Sequence, residues 1–169
     1  MIRKVGGAMK ALYRKITPYD VDYLEMLYYE TIFTLNDEIM PDRSILEEEA
    51  YQKYIKPWSH DDIGYIALDP FTSEAIGAVW LRFFKERRPG NAFINEKLPE
   101  LVIVVDGQFR GQGVGTDLLH YLIAHLPTSI SGICLAVDVR NPALHFFEQL
   151  GFSAYRIDKT VAVLRYDRH

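Results

Sequence analysis

The apolar pattern of the chain predicts an α+β domain of seven strands and four helices, in the order β-α-α-β-β-β-α-β-α-β-β. Two segments carry most of that expectation. ELVIVVD from Glu100 and GICLAVDV from Gly132 are uninterrupted apolar runs, the signature of strands buried on both faces. Each is followed by a helical run with its own punctuation, so the centre of the domain is a strand–helix–strand–helix unit. A length of 169 residues, 49% apolar and 25% charged, suits one domain with a sizeable core.

Taken in order, Met9 to Ile16 is a short strand, and Thr17-Pro18 makes a helix start. Val21, Leu24, Tyr28, Ile32 and Leu35 then recur at helical spacing, which predicts a first helix across VDYLEMLYYETIFTL. SILEEEAYQKYIKPW is a second helix, with Ser44 as cap, Glu47 three residues on, and Pro57 as its stop. GYIALD and AIGAVWLRFF form a hairpin around PFTSE. A third helix runs from about Val114 to Leu126, with Leu118, Leu119, Leu122 and Leu126 on one side. In NPALHFFEQLG, Asn141 is the cap, Pro142 the first helical residue and Gly151 the stop. FSAYRID and VAVLRYD close the chain as two further strands.

The bulk numbers exclude several classes. A formal net charge of −4 argues against a dedicated binder of nucleic acid or anionic membrane. The single cysteine, Cys134, lies in an apolar run, so no disulfide framework exists and it reads as a small buried hydrophobe. The basic start carries no apolar core of signal-peptide length, and no run approaches membrane-spanning length. A cytoplasmic location is the expectation.

The stretch RGQGVGTDLL packs glycine at 111, 113 and 115 between a buried strand and a helix start. Alternate glycines suggest that something approaches the backbone so closely that side chains would obstruct it. A P-loop would need a lysine after the glycines, and none follows. The dinucleotide fingerprint would need glycine where Thr116 stands, which disfavours a nucleotide-binding protein of that type. What remains is a set of backbone N–H groups at the positive end of a helix dipole, suited to a pyrophosphate, or else a ligand-free tight turn.

Arg110-Gly111-Gln112-Gly113-Val114-Gly115 resembles the acetyl-CoA-binding signature of the GNAT superfamily of N-acetyltransferases, Arg/Gln-x-x-Gly-x-Gly/Ala. NPALHFFEQLGF, Asn141 to Phe152, resembles that family's Asn-x-x-Ala…Tyr-x-x-x-Gly-Phe segment, with the alanine one place early at Ala143. The element order matches over roughly residues 9 to 167, nearly the whole chain. The resemblance implies one N-acetyltransferase domain over 9–169, residues 1–8 being a short, poorly ordered extension. It implies a mixed, mostly antiparallel sheet whose two central parallel strands splay around the cofactor's pantetheine arm.

It also assigns roles. Ile103, Val104 and Val105 would line the arm, and a main-chain N–H near Val105 would polarise the thioester carbonyl. The amides of Gln112 to Thr116, with Gly113, Val114 and Gly115 between them, would hold the pyrophosphate beside Gly111 and Arg110. For Arg110 a solvated surface position is the competing reading. Asn141 would cap its helix and also touch the arm. Glu100 is the candidate general base, directly or through a water; the competing reading is a solvated charge at a strand entrance. The family's acid tyrosine aligns with Phe147, which has no proton to give and becomes packing for the core or the arm. His145 and Tyr155 are distant substitutes, and water protonating the thiolate is the alternative.

The acceptor side would draw on Tyr28, Tyr29, Phe33, Asn36, Asp37, Glu38 and Met40, opposite Phe83, Phe84 and Phe93. Of these Tyr28, Tyr29, Phe33 and Phe84 are the substrate-binding candidates, although helix faces covering the sheet explain several equally well. The cluster KERRPG reads as a solvated loop that could meet an acidic acceptor or the adenosine phosphate. The expected function is direct transfer of acetyl from acetyl-CoA to a primary amine on a small molecule, amino acid, antibiotic or peptide N-terminus. No metal, nucleic acid or membrane is called for, and a homodimer stays open. The alternative is a non-catalytic, sensory acyl-CoA-binding domain, made credible by Phe147.

Overall fold

Alternate residues of the strand Glu100–Val105 enter two different cores, and the fold is built around that division. Val102 and Val104 join a cluster with Leu24, Leu27, Tyr54 and Trp80, whereas Leu101, Ile103 and Val105 pack toward Leu118, Leu122 and Phe147. A strand apolar on both faces must be covered on both faces. Here the sheet is the middle layer, with two helices on each side.

The computed structural model describes residues 10–32 and 39–169. Its strands are β1 (Leu12–Lys15), β2 (Gly64–Leu68), β3 (Ala75–Arg82), β4 (Glu100–Val105), β5 (Gly132–Asp138), β6 (Ser153–Asp158) and β7 (Val161–Asp167). Its helices are α1 (Val21–Tyr29), α2 (Glu49–Gln52), α3 (Val114–Ala124) and α4 (Ala143–Gln149). The order across the seven-stranded sheet is β1-β2-β3-β4-β5-β7-β6. Every pairing is antiparallel except β4 with β5. The sequence-based order, strand count and helix count therefore hold.

Two helices differ from expectation. The first ends at Tyr29 rather than continuing through Leu35, and residues 33–38 lie outside the described residues. The second is broken in two. Residues 43–47 form a tight 3-10 turn capped by Asp42, whose Oδ1 accepts from the Ser44 N–H at 2.9 Å. The expected cap, Ser44, is thus the donor. Glu48 is extended at ψ 139°, and only then does α2 begin. A 3-10 turn closes quickly but seldom propagates, which explains why one apolar period was shared by two short pieces.

The end of α4 follows its punctuation closely. Gly151 takes φ +95°, its N–H bonds the Glu148 carbonyl at 3.1 Å, and the Phe152 N–H bonds the Phe147 carbonyl at 3.1 Å. The Phe147 and Phe152 rings meet edge to face at 5.6 Å, closing a Schellman motif with its apolar contact. That device turns the chain from α4 straight into β6.

Leu118 is fully buried under α3 and shares the larger core with Leu122, Ile133 and Leu164. Replacing it by alanine leaves a cavity under the helix, and the expected cost is about 2–5 kcal/mol in urea unfolding. A loss under about 1 kcal/mol would mean that α3 does not pack as described.

Candidate functional site

The parallel pair β4/β5 touches in register at one point, Glu100 opposite Cys134. The Cys134 N–H donates to the Pro99 carbonyl at 3.0 Å, and beyond this the strands part. β4 is meanwhile paired with β3 from Glu100 to Val105, and the Asp106 N–H donates to the Ile76 carbonyl at 2.9 Å. Strand backbones alternate their hydrogen-bonding direction. The amides of Val102 and Val104 therefore face β3, and those of Ile103 and Val105 face the gap. The expected splay is present. Val104 is corrected: its backbone is spent on β3 and its side chain is buried on the α1 face, so it cannot line the arm.

At the open end of the gap the chain turns into α3. Gly111 and Gly113 have φ of +73° and +85°, in the left-handed region that glycine enters without penalty. A Cβ built on either would meet no protein atom within 4 Å. Their backbone conformation requires them, and the space in front of them is open rather than filled by the chain. Gly115 differs, since a Cβ there would touch Phe146 at 3.4 Å and Val105 at 3.5 Å.

The helix that follows has no side-chain cap. The Asp117 N–H is the first to find an intrahelical acceptor, Gly113 O at 3.1 Å, which leaves the amides of Val114, Gly115 and Thr116 as orphan donors. Elsewhere the chain spends polar side chains on such donors. Asn141 Oδ1 accepts from the Ala143 N–H at 2.9 Å at the start of α4. An uncapped helix start beside two left-handed glycines presents a cradle of unpaired N–H groups at the positive end of the helix dipole, the chemistry that suits an anion. Gln112 Nε2 donates to the Gln108 carbonyl at 3.4 Å.

Arg110 is not a free surface arginine. Its Nε donates to the Val105 carbonyl at 3.2 Å and its Nη2 pairs with Glu30 at 3.0 Å, bracing the end of β4 against the end of α1. Phe147 is buried against Phe146 and Phe152, so it belongs to the core. Phe146 is the ring that lies against Gly115 at the start of α3. His145 is exposed on the outer side of α4, where it meets Gln149, and Tyr155 is exposed on the edge strand β6. Neither reaches the gap.

Glu100 sits at the closed end of the gap and is 3% exposed, so the solvated-charge alternative is overturned. Its Oε2 accepts from the Tyr54 hydroxyl at 2.6 Å and its Oε1 from the Ala92 N–H at 2.9 Å. Burial pushes the carboxyl above its usual range, against the pull of those two donors and of the Lys53 and Arg156 charges. The Tyr54 hydroxyl is raised in turn by burial and by Glu100, and Tyr28 likewise. Cys134 next to it is buried and pushed up to about 12 by desolvation, which leaves it no nucleophilic character at neutral pH.

Of the acceptor-side candidates, Tyr28 stacks on Tyr54 at 5.6 Å and Phe84 meets Tyr54 edge-on at 5.1 Å, so both converge near Glu100. Tyr29 does not. Its hydroxyl donates to the Pro41 carbonyl at 2.6 Å and its ring lies under Arg43. Phe33, Asn36, Asp37 and Glu38 lie outside the described residues. Among the described residues no group of His, Cys, Asp and Glu is placed to hold a metal ion, and no helix is long and apolar enough to cross a membrane.

A sheet parted around an uncapped, glycine-led helix start is the architecture of an enzyme that binds an extended, phosphate-bearing cofactor. The sequence model of the acetyltransferase (GNAT) family matches residues 30–152. The chain belongs to the GNAT family of acetyltransferases, enzymes that use acetyl-CoA. Solved structures with the same fold include a GNAT-family acetyltransferase from Streptococcus pneumoniae (TM-score 0.60, 21% identity, covering 95% of this chain and 100% of that one). The PaiA N-acetyltransferase of Thermoplasma acidophilum, solved with coenzyme A, aligns at TM-score 0.64 and 17% identity over 95% of this chain and 100% of its own. A phosphinothricin acetyltransferase from Sinorhizobium meliloti, solved with acetyl-CoA, aligns at 0.61 and 17% over 94% and 89%. At these identities the likeness is one of fold. No curated protein sequence matches the chain.

Gly113→Ala tests the cradle. The substitution places a Cβ on a left-handed residue and in the open space before the helix, while touching no protein atom. Coenzyme A affinity by calorimetry is expected to fall at least tenfold in a protein that still melts cooperatively. Unchanged affinity in the folded variant would contradict the cradle.

Proposed function

We propose that this chain transfers an acetyl group directly to a primary amine of a small molecule or peptide, without a covalent enzyme intermediate. The observation that carries the proposal is the set of unpaired amides along one path. Those of Val114 to Thr116 lie at the helix start, and those of Ile103 and Val105 lie along the gap. Bound acetyl-CoA would supply the activated acetyl thioester. The chain's part is to hold it, polarise it and take up a proton.

The helix-start amides and the backbone of Gly111 to Gly113 hold the pyrophosphate. Asn141, its Oδ1 committed to the α4 cap, offers its amide Nδ2 to the arm from the facing wall. Phe146 packs beneath the turn. Val105 lies next to the start of α3, so it would pair with the arm nearer the cradle and Ile103 deeper in the gap. Glu100 is five residues from Val105, about 17 Å along a strand, but three from Ile103, about 10 Å. The gap-facing N–H of Ile103 is thus the better placed of the two to stabilise charge on the thioester oxygen, with Val105 pairing further back.

The acceptor amine enters from the Glu100 end. Its nitrogen forms the new bond to the acetyl carbon as the carbon–sulfur bond breaks, and its proton passes through water to Glu100. The raised pKa of this carboxyl makes it a stronger base than a solvated glutamate, and the Tyr54 and Ala92 donors keep it oriented. Phe147 offers no proton, so the thiolate takes one from water. The buried, unreactive Cys134 agrees with direct transfer.

Thiol release from acetyl-CoA across a panel of amines tests the proposal. Turnover is expected with at least one amine, and kcat/KM should rise with pH through a value above the ordinary carboxylate range. Glu100→Gln should lower kcat by at least tenfold and remove that limb. The same shift has a sign in stability. A carboxyl with a raised folded-state pKa is favoured as the acid, so its contribution is full at pH below the unfolded value and is lost as pH climbs through the folded one. Melting temperature should fall across that window, and fall less in Glu100→Gln. An unaltered pH–rate profile would remove Glu100 as base. Tight coenzyme A binding with no turnover on any amine would favour a sensory domain instead.

A further inference from the structure

A second concave site lies at the end of β4 remote from the glycine turn. It is a cleft of about 250 Å³ between the residues after α2 and the loop leaving β3. Six cationic side chains line it, namely Lys53, Lys56, Arg82, Lys85, Arg87 and Arg88, and no carboxylate does. That density of one sign is notable in a chain whose formal net charge is −4.

Four of the six are offset from outside the cleft: Lys56 by Glu25, Arg82 by Asp62, Lys85 by Glu96 and Arg88 by Glu49. Two are not. Arg87 makes neither a hydrogen bond nor an ion pair among the described residues. The Lys53 ammonium donates to the neutral Pro89 carbonyl at 2.8 Å and lies over the rings of Phe84 and Tyr54. Arg82 forms the floor with a side chain nine-tenths buried: its Nε and Nη2 donate to the carbonyls of Lys53 and Pro57, and its Nη1 lies 3.4 Å from the Asp62 carboxylate.

The cleft also has a fixed relation to the proposed base. Arg82 is opposite Glu100 in the β3/β4 register. Lys53 is adjacent to Tyr54, whose hydroxyl holds Glu100, and Phe84 packs on that tyrosine. An anion in the cleft is therefore one aromatic wall from the carboxylate that would take the amine's proton. The cofactor's phosphates belong to the other end of β4, five residues or about 17 Å away along the strand.

We infer that this cleft is an anion subsite for the acceptor: the amine that is acetylated also carries a carboxylate, held by Arg87 and Lys53. The inference rests on the acetyltransferase proposal for its acceptor but not for its anion binding. It makes amino acids, or peptides with a nearby carboxylate, the substrate class, and sets aside simple amines and polyamines, whose extra positive charge the cleft repels.

The test compares matched acceptors: L-phenylalanine with its amide and with phenethylamine, and L-glutamate with its α-amide. Binding is measured by calorimetry at low ionic strength with coenzyme A present, and turnover by thiol release. The wild-type protein is expected to bind at least one carboxylate member about tenfold or more tightly than its uncharged partner. Arg87→Gln, at an exposed residue, should erase most of that preference while leaving affinity for the amides unchanged. Where turnover occurs, the loss should appear in KM. Equal binding of the acid and its amide in every pair, or a preference that survives Arg87→Gln, would overturn the subsite. So would weaker binding of coenzyme A, but not of dephospho-coenzyme A, in the variant, because the cleft would then hold the cofactor's phosphate. Carboxylate-selective binding without turnover would instead uphold the anion subsite and count against the acetyltransferase proposal for these amines.

Discussion

Parallel strands β4 and β5 are joined at Glu100 and Cys134 and nowhere beyond, and the candidate site follows from that one point of contact. Were the pair zipped to Val105, the amides of Ile103 and Val105 would be spent on β5. Because β4 is instead anchored by β3 along its whole length, it can leave its other edge unpaired without losing its place. β5 is secured in the same way by β7, from Gly132 to Asp138. Each central strand thus has one fully used edge and one mostly free edge, and the free edges face each other. Buried backbone donors left open are costly unless a ligand or water takes them. The fold accepts that cost along a path leading to an uncapped helix.

The closed end of the gap is held by a different kind of interaction. A carboxylate buried to the extent of Glu100 is destabilising unless donors surround it. Tyr54 and the Ala92 amide supply them, and the Asn91 amide donates to the Tyr54 hydroxyl at 2.7 Å in turn. The Tyr54 carbonyl accepts from the Trp80 indole at 2.7 Å, fixing the residue from its other side. One side chain thereby binds α2, the long β3–β4 loop and the start of β4 together. The same contacts that make Glu100 tolerable also aim it, so stability and the proposed chemistry share their supports.

The sheet was legible because period-two and both-face apolar runs are strong signals, and Val102 and Val104 divide from Ile103 and Val105 as that pattern requires. The α4 boundaries were legible because Asn141 and Gly151 each have one dominant local role. The break before α2 was not, since Ser44 and Asp42 are both good caps and their rivalry is settled by backbone geometry. Burial of Glu100 was hidden for another reason. Its partners, Tyr54 and Ala92, are brought to it by a long loop whose path no local pattern encodes. The same holds for Arg82, whose neighbours Lys53 and Pro57 lie more than twenty residues away in sequence.

Amide hydrogen exchange at single-residue resolution measures the central claim, that the free edge of β4 is where the cofactor arm pairs. Without ligand, Val102 and Val104 should be protected by β3, and Ile103 and Val105 should exchange faster than these neighbours. Coenzyme A should slow exchange at Ile103 and Val105, together with Val114 to Thr116, and leave Val102 and Val104 little changed. Binding of coenzyme A with no added protection at Ile103 and Val105 would show that the arm does not run along β4, and would contradict the account.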